Sequence, residues 1–223
     1  MESATIRQGD PTGGTDARMT PTMGATWTPA DPAPLGLAGF ALTTFVLSMF
    51  NANLVSSAGE PVVLGLALAY GGIAQLLAGM WEFRTGNTFG AVAFSSYGAF
   101  WISFWALVTF FVKGIPAGDA GHAVGLYLWG WGIFTTYMFV ASLRTTGAVA
   151  LVFALLAATY ILLAIGNSGG HETIIHWGGY VGIATAAAAW YASFAAVVNH
   201  TFRRTVLPTM PLADRVAAPT ANR

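Results

Sequence analysis

Residues 30–55 read ADPAPLGLAGFALTTFVLSMFNANLV. From Leu35 to Val55 there is no charged residue. About 20 mostly apolar residues are what one helix needs to cross the hydrocarbon of a bilayer. Pro32 and Pro34 precede the run. Each fixes its own φ and pushes the residue before it away from helical geometry. Asp31 to Ala33 is therefore expected to be extended, a stiff entry element whose Asp31 carboxylate accepts from nearby amides. Gly36 and Gly39 leave room for another backbone to approach. A plain helix start is the competing reading.

Five further stretches match the first: Pro61–Trp81, Phe89–Val112, Ala123–Leu143, Gly147–Ile165 and Ile174–Val198. The linkers are short: SSAGE, FRTGN, KGIPAGDAGH, RTT and NSGGHET. The expected fold is an all-α membrane protein of six antiparallel spans over 31–207. Residues 1–30 and 208–223 are expected to be disordered cytoplasmic tails. The whole composition agrees. Of 223 residues 55% are hydrophobic and 8% charged, against about 25% charged in soluble domains. Net charge is zero, so no basic field attracts nucleic acid. Arg84, Arg144, Arg203 and Arg204 gather with the termini on one side, Lys113 on the other. Basic residues mark the cytoplasmic side, which places both termini there, at the plasma (inner) membrane.

Polar groups within spans tend to face the protein interior or a water path. In the first span Phe40, Thr44, Leu47 and Asn51 share one helical face, with Thr43 and Ser48 beside it. In the second, Gly71, Gln75, Gly79 and Glu82 fall on one face. The third offers Ser96 and Ser103, with Tyr97 and Trp101 on an adjacent track. The fifth adds Leu156, Thr159 and Tyr160, and the sixth opens with His176. Each also has a structural reading: a hydroxyl bonded one turn back, an interhelical amide, an interfacial Glu82, a helix-end His176. The four histidines and absent cysteine give no metal-binding spacing. No nucleophile elbow, phosphate loop or dinucleotide motif occurs. Neither an enzyme nor a cofactor or metal site is expected.

The segment DPAPLGL resembles the Asn-Pro-Ala-Pro-Leu-Gly-Leu signature of the acetate/succinate uptake transporter family, which includes fungal acetate/ammonia transporters and bacterial acetate–succinate carriers. YGGIAQ (70–75), GNTFG (86–90), FSSYGAFW (94–101), AIGN (164–167), IIHWGG (174–179) and RTVLP (204–208) resemble further landmarks in order. The signature entry here is Asp31, Pro32, Pro34, Leu35 and Gly36, with Asp31 standing where the family usually has Asn. The resemblance implies six helices around a pore in each protomer and a homo-hexamer. It also implies a hydrophobic constriction at Phe40, Tyr97 and Leu156. A transporter of acetate and related small carboxylates such as succinate would offer Thr43, Thr44, Asn51, Gln75 and Ser96 to the carboxylate. Glu82, His176 or Asp31 would exchange a proton in symport. A passive channel for acetate, ammonia or urea, and an acetate sensor that moves nothing, are the rival readings.

Overall fold

A computed structural model describes Trp27 and residues 29–212. Its helices α1 Ala33–Asn51, α2 Val62–Thr85, α3 Thr88–Gly114, α4 Ala117–Ser142, α5 Gly147–Gly169 and α6 Glu172–Thr201 are all long and apolar enough to cross a membrane. Six alternating passes put Ala33 and Thr201 on one side, here called the terminal face, and Asn51 on the far face.

The entry element is not extended as expected. Pro32 is already helical (φ −82°, ψ −15°) and α1 starts at Ala33. First-turn amides have no partner within the helix, so proline sacrifices nothing there. Asp31 accepts the Ala33 N–H at 2.9 Å, as its short carboxylate suggests. The Pro34 carbonyl accepts the Ser193 hydroxyl of α6 at 2.7 Å. That bond ties the first turn of the chain's first helix to its last. At the other end α1 stops at Asn51, short of the expected Val55. Asn53 sits in the left-handed region (φ 55°), where a short polar side chain is tolerated better than most.

α1 packs along α6, α6 along α5, α5 along α4, and α2 along α3, with α2 also against α1. The order around the bundle is thus α3–α2–α1–α6–α5–α4. Between α3 and α4 the backbones scarcely approach. Aromatic side chains close that seam. Tyr97 meets Trp131 and Phe134 at ring-centroid distances of 6.2 and 5.4 Å, and Phe100 meets Tyr127 and Trp131 at 5.8 and 5.1 Å.

The landmark YGGIAQ forms a π-helical turn, Ala69–Ala74, inside α2. Such turns insert one residue into a helix and recur at functional sites. Here the wider turn is wedged between α1 and α3. A Cβ on Gly71 would lie 2.6 Å from Thr43 Oγ1 and 2.9 Å from Trp101 Cδ1. A Cβ on Gly39 would lie 2.6 Å from the Tyr70 carbonyl oxygen. That neighbour is backbone and cannot swing aside. Gly39→Ala is therefore expected to cost about 1–3 kcal/mol. A lower melting temperature in a size-exclusion thermal-shift assay checks this.

Among the glycine pairs suited to helix packing, Gly121 and Gly125 press on α5 at Asn167 and Ser168. Gly178 and Gly182 press on Leu163 and Ser48. Gly86 does neither; it ends α2 with φ +80°.

The expected tails fall mostly outside the described residues. Two parts within them are held. Trp27 packs edge-on against Trp81 at 5.8 Å and carries Arg84 over its face. The chain also stays ordered past the expected boundary at 208. Gly147 N–H donates to the Met210 carbonyl (2.6 Å), Ala148 N–H to Thr209 (3.2 Å) and Leu212 N–H to Thr145 (3.0 Å). The first amides of a helix need outside acceptors, and this segment supplies them to α5.

Candidate functional site

The stripe on α1 defines the site. Phe40, Thr44, Leu47, Ser48 and Asn51 all line one chamber of about 220 Å³. The opposite walls are Phe100, Trp101 and Phe104 of α3, Tyr127 and Leu128 of α4, and Leu156, Thr159, Tyr160 and Asn167 of α5. Asn51, Glu60, Val112 and Asn167, which line it, lie near the far ends of the spans, so it belongs to the far half of the bundle. A second chamber of about 20 Å³ lies in the terminal half, lined by Leu37, Gln75, Phe94, Tyr97, Phe153 and neighbours. It has room for about one water-sized sphere.

Phe40 and Leu156 line both chambers and form the wall between them. Tyr97 lines the small one beside Phe40, ring centroids 5.9 Å apart. The three are 4%, 4% and 2% exposed respectively. Tyr97 is fixed by a 2.9 Å hydrogen bond with Thr135 Oγ1, whose hydroxyl also donates to the Trp131 carbonyl at 2.7 Å. The three residues taken from the family motifs thus meet at one neck.

The polar groups divide into engaged and unengaged. Thr159 donates to the Leu155 carbonyl (2.9 Å) and meets Thr185 (3.2 Å). The Tyr127 hydroxyl contacts Ser103 Oγ (2.8 Å) and the Phe100 carbonyl (3.2 Å). Asn167 donates to the Leu163 carbonyl at 2.8 Å. By contrast Thr44 Oγ1, Trp101 Nε1 and Gln75 Oε1 are buried and make no hydrogen bond within the protein. Buried polar atoms are almost always paired; these three belong to residues that line the chambers, while Glu82 Oε1 and Ser95 Oγ, also unpaired, belong to residues that do not.

Of the expected pathway residues, Thr44, Asn51 and Gln75 line the chambers. Thr43 does not. It bonds the Gly39 carbonyl at 2.9 Å and sits against the π turn. Ser96 also lines neither chamber. The proposed proton groups lie off the conduit too. Asp31 is exposed at the start of α1. His176 is half-buried and lines neither chamber. Glu82 is buried at the terminal end of α2, where Thr85 donates to its Oε2 at 2.9 Å and its Oε1 is unpartnered.

Trp101 and Glu60 are among the lining residues to which the sequence pattern gave no role in the pathway. Trp101 was visible as a neighbour of Tyr97, one turn on, but the serines drew the polar reading. Glu60 belongs to the linker SSAGE, where helical periodicity carries no signal. The residue is half-buried and lines the large chamber, and burial raises the pKa of its carboxyl.

A profile of the GPR1/FUN34/yaaH family matches residues 16–214. The succinate-acetate/proton symporter SatP of Escherichia coli K12 is 41% identical over 179 residues, covering 80% of this chain and 94% of that protein. Acetate permease A of Emericella nidulans is 42% identical over 194 residues, covering 80% of this chain and 65% of that one. The solved bacterial acetate channel SatP superposes with a TM-score of 0.77 at 41% identity, over 82% of this chain and 99% of its own. With a profile match over nearly the whole described bundle, the chain belongs to the GPR1/FUN34/yaaH family.

Proposed function

We propose that the chain moves acetate and related small carboxylates, succinate among them, across the plasma (inner) membrane with a proton. The observation that carries this reading is the pairing of a polar-lined chamber with an apolar neck: Thr44, Asn51 and Trp101 line the large chamber, then come Phe40, Leu156 and Tyr97. A carboxylate enters from the far face and takes hydrogen bonds from the Thr44 hydroxyl, the Trp101 indole and the Asn51 amide. Bonds to a charged group are about twice as strong as neutral ones. At the neck the one hydroxyl, that of Tyr97, is already bonded to Thr135, so the neck opposes a bare anion, whose desolvation is costly. The neutral acid, with its methyl against Phe40 and Leu156, meets a smaller penalty. Beyond the neck the Gln75 amide carries both a donor and an acceptor, as a protonated carboxyl requires.

The names of the two relatives, a symporter and a permease, support acetate as the cargo. The solved neighbour is described as a channel, which favours passive conduction as the second reading. The basic residues on the terminal face support cytoplasmic termini by the positive-inside rule. A homo-hexamer follows from the family resemblance.

Labelled acetate uptake into proteoliposomes under an imposed pH gradient is the test, with succinate, formate and urea as competitors. Protein-free liposomes give the flux of neutral acid through lipid, to be subtracted. Saturable uptake that accumulates acetate against its gradient is expected for symport. Saturable uptake that stops at equilibrium identifies a channel, and absence of protein-dependent uptake refutes transport.

A further inference from the structure

We infer that Glu60 is the proton donor of the conduit, protonating each carboxylate as it enters the large chamber from the far face. The inference rests on the transport reading above. Among the described side chains that line the two chambers, Glu60 is the one that carries a charge. The other polar linings are hydroxyls, amides, phenols and an indole, and no basic group balances the carboxyl. An ionised carboxylate at the mouth of an anion path repels its own cargo. Such a residue makes physical sense there if it is protonated when the anion arrives.

Its position is rigidly set. The Glu60 N–H donates to the Ser57 carbonyl at 3.0 Å, and the Glu60 carbonyl accepts from Val63 N–H at 2.9 Å. Pro61 follows and begins α2. Phe50 of α1 lies against Gly59. The side chain therefore projects from a clamped turn and not from a loose loop. Burial favours its protonated form.

The titratable groups that share the chamber are Tyr127 from α4 and Tyr160 from α5. Both are phenols, which hold their protons through the neutral range. Lys113, Asp119, His122, His171, Glu172 and His176 belong to the same face of the molecule, but none lines the chamber. In the transfer, the Glu60 O–H bond breaks and an O–H bond forms on acetate. Neutral acetic acid then passes the neck. The carboxylate left on Glu60 repels a second anion until water on the far face returns a proton.

The chain contains no cysteine, which permits a clean test in the full-length protein. Glu60→Cys in proteoliposomes is alkylated either with iodoacetate, which adds a carboxylate, or with iodoacetamide, which adds the matching amide. Both adducts share one fold, so a folding defect cannot separate them. Saturable acetate flux is measured as a function of pH, starting within the ordinary carboxyl range and rising above it, the direction in which burial moves the Glu60 carboxyl. For the wild type and the carboxylate adduct, flux should fall towards about tenfold per pH unit above the midpoint. The amide adduct has no proton to give, and the neck opposes the bare anion, so its saturable flux and the accompanying proton entry, read by an internal pH dye, should be lost across the range. If the two adducts give the same profile, Glu60 is not the donor. A pH dependence arising from the substrate's own carboxyl would produce that result. If the wild type shows no saturable flux at all, the transport reading fails instead.

Discussion

Replacing Leu156 by alanine is expected to raise succinate uptake about tenfold, equivalent to about 1.4 kcal/mol off the barrier. Leu156 is shared by both chambers and, with Phe40, separates a space of about 220 Å³ from one of about 20 Å³. Truncation joins the two and removes contacts that a longer acid meets at the neck. It leaves Thr44, Trp101 and Gln75 untouched, so acetate is still bound and its discrimination from succinate is what falls. Leu-to-Ala changes in cores cost about 2–5 kcal/mol of stability, so flux must be normalised to folded protein. Labelled succinate uptake, with acetate as competitor, is the measurement. Unchanged selectivity at normal protein levels would remove the neck from the mechanism.

The second large effect is a loss. Thr44→Val keeps shape and deletes the hydroxyl; Trp101→Phe keeps an aromatic ring and deletes the N–H. Each deletion removes one hydrogen bond to a charged group, about 1.5–3 kcal/mol, or roughly 10- to 150-fold in acetate affinity. Neither group serves another protein atom, so the fold loses little and stability gives the control. The expected pattern is a raised half-saturation concentration with an unchanged melting temperature. Thr159→Val is the contrast. Its hydroxyl already serves the Leu155 carbonyl, so its loss should affect acetate far less.

The six spans and the Phe40–Thr44–Leu47–Asn51 stripe were legible because lipid enforces long apolar runs and a helix repeats every 3.6 residues. Periodicity ends where the helix is irregular. It assigned Thr43 and Thr44 alike, yet the π turn at Ala69–Ala74 occupies the face of Thr43 and leaves Thr44 to the chamber. It pointed to Ser96 for its hydroxyl, while Trp101, on the same helix, lines the wall. Leu156 lay on the stripe of its own span and Tyr97 only beside one; that they belong with Phe40 came from motif resemblance, since a stripe alone does not say which helices face each other. Glu60 had no signal, since a linker carboxylate reaches a chamber only through the turn that holds it. The two prolines misled in the other direction, as steric rules for helix interiors relax in a first turn.

At the α3–α4 seam, rings and not main chain span the gap. The calibre of the passage is therefore independent of the scaffold that carries it. Where two helices touch closely, a wider bore demands that a whole rod shift, and everything bonded to it shifts too. Here Tyr97, Phe100 and Tyr127, rings of the seam that also line the chambers, set the spacing on that side. Descendants of one bundle can acquire different cargo preferences by exchanging single aromatic residues, with the rods left where they stand.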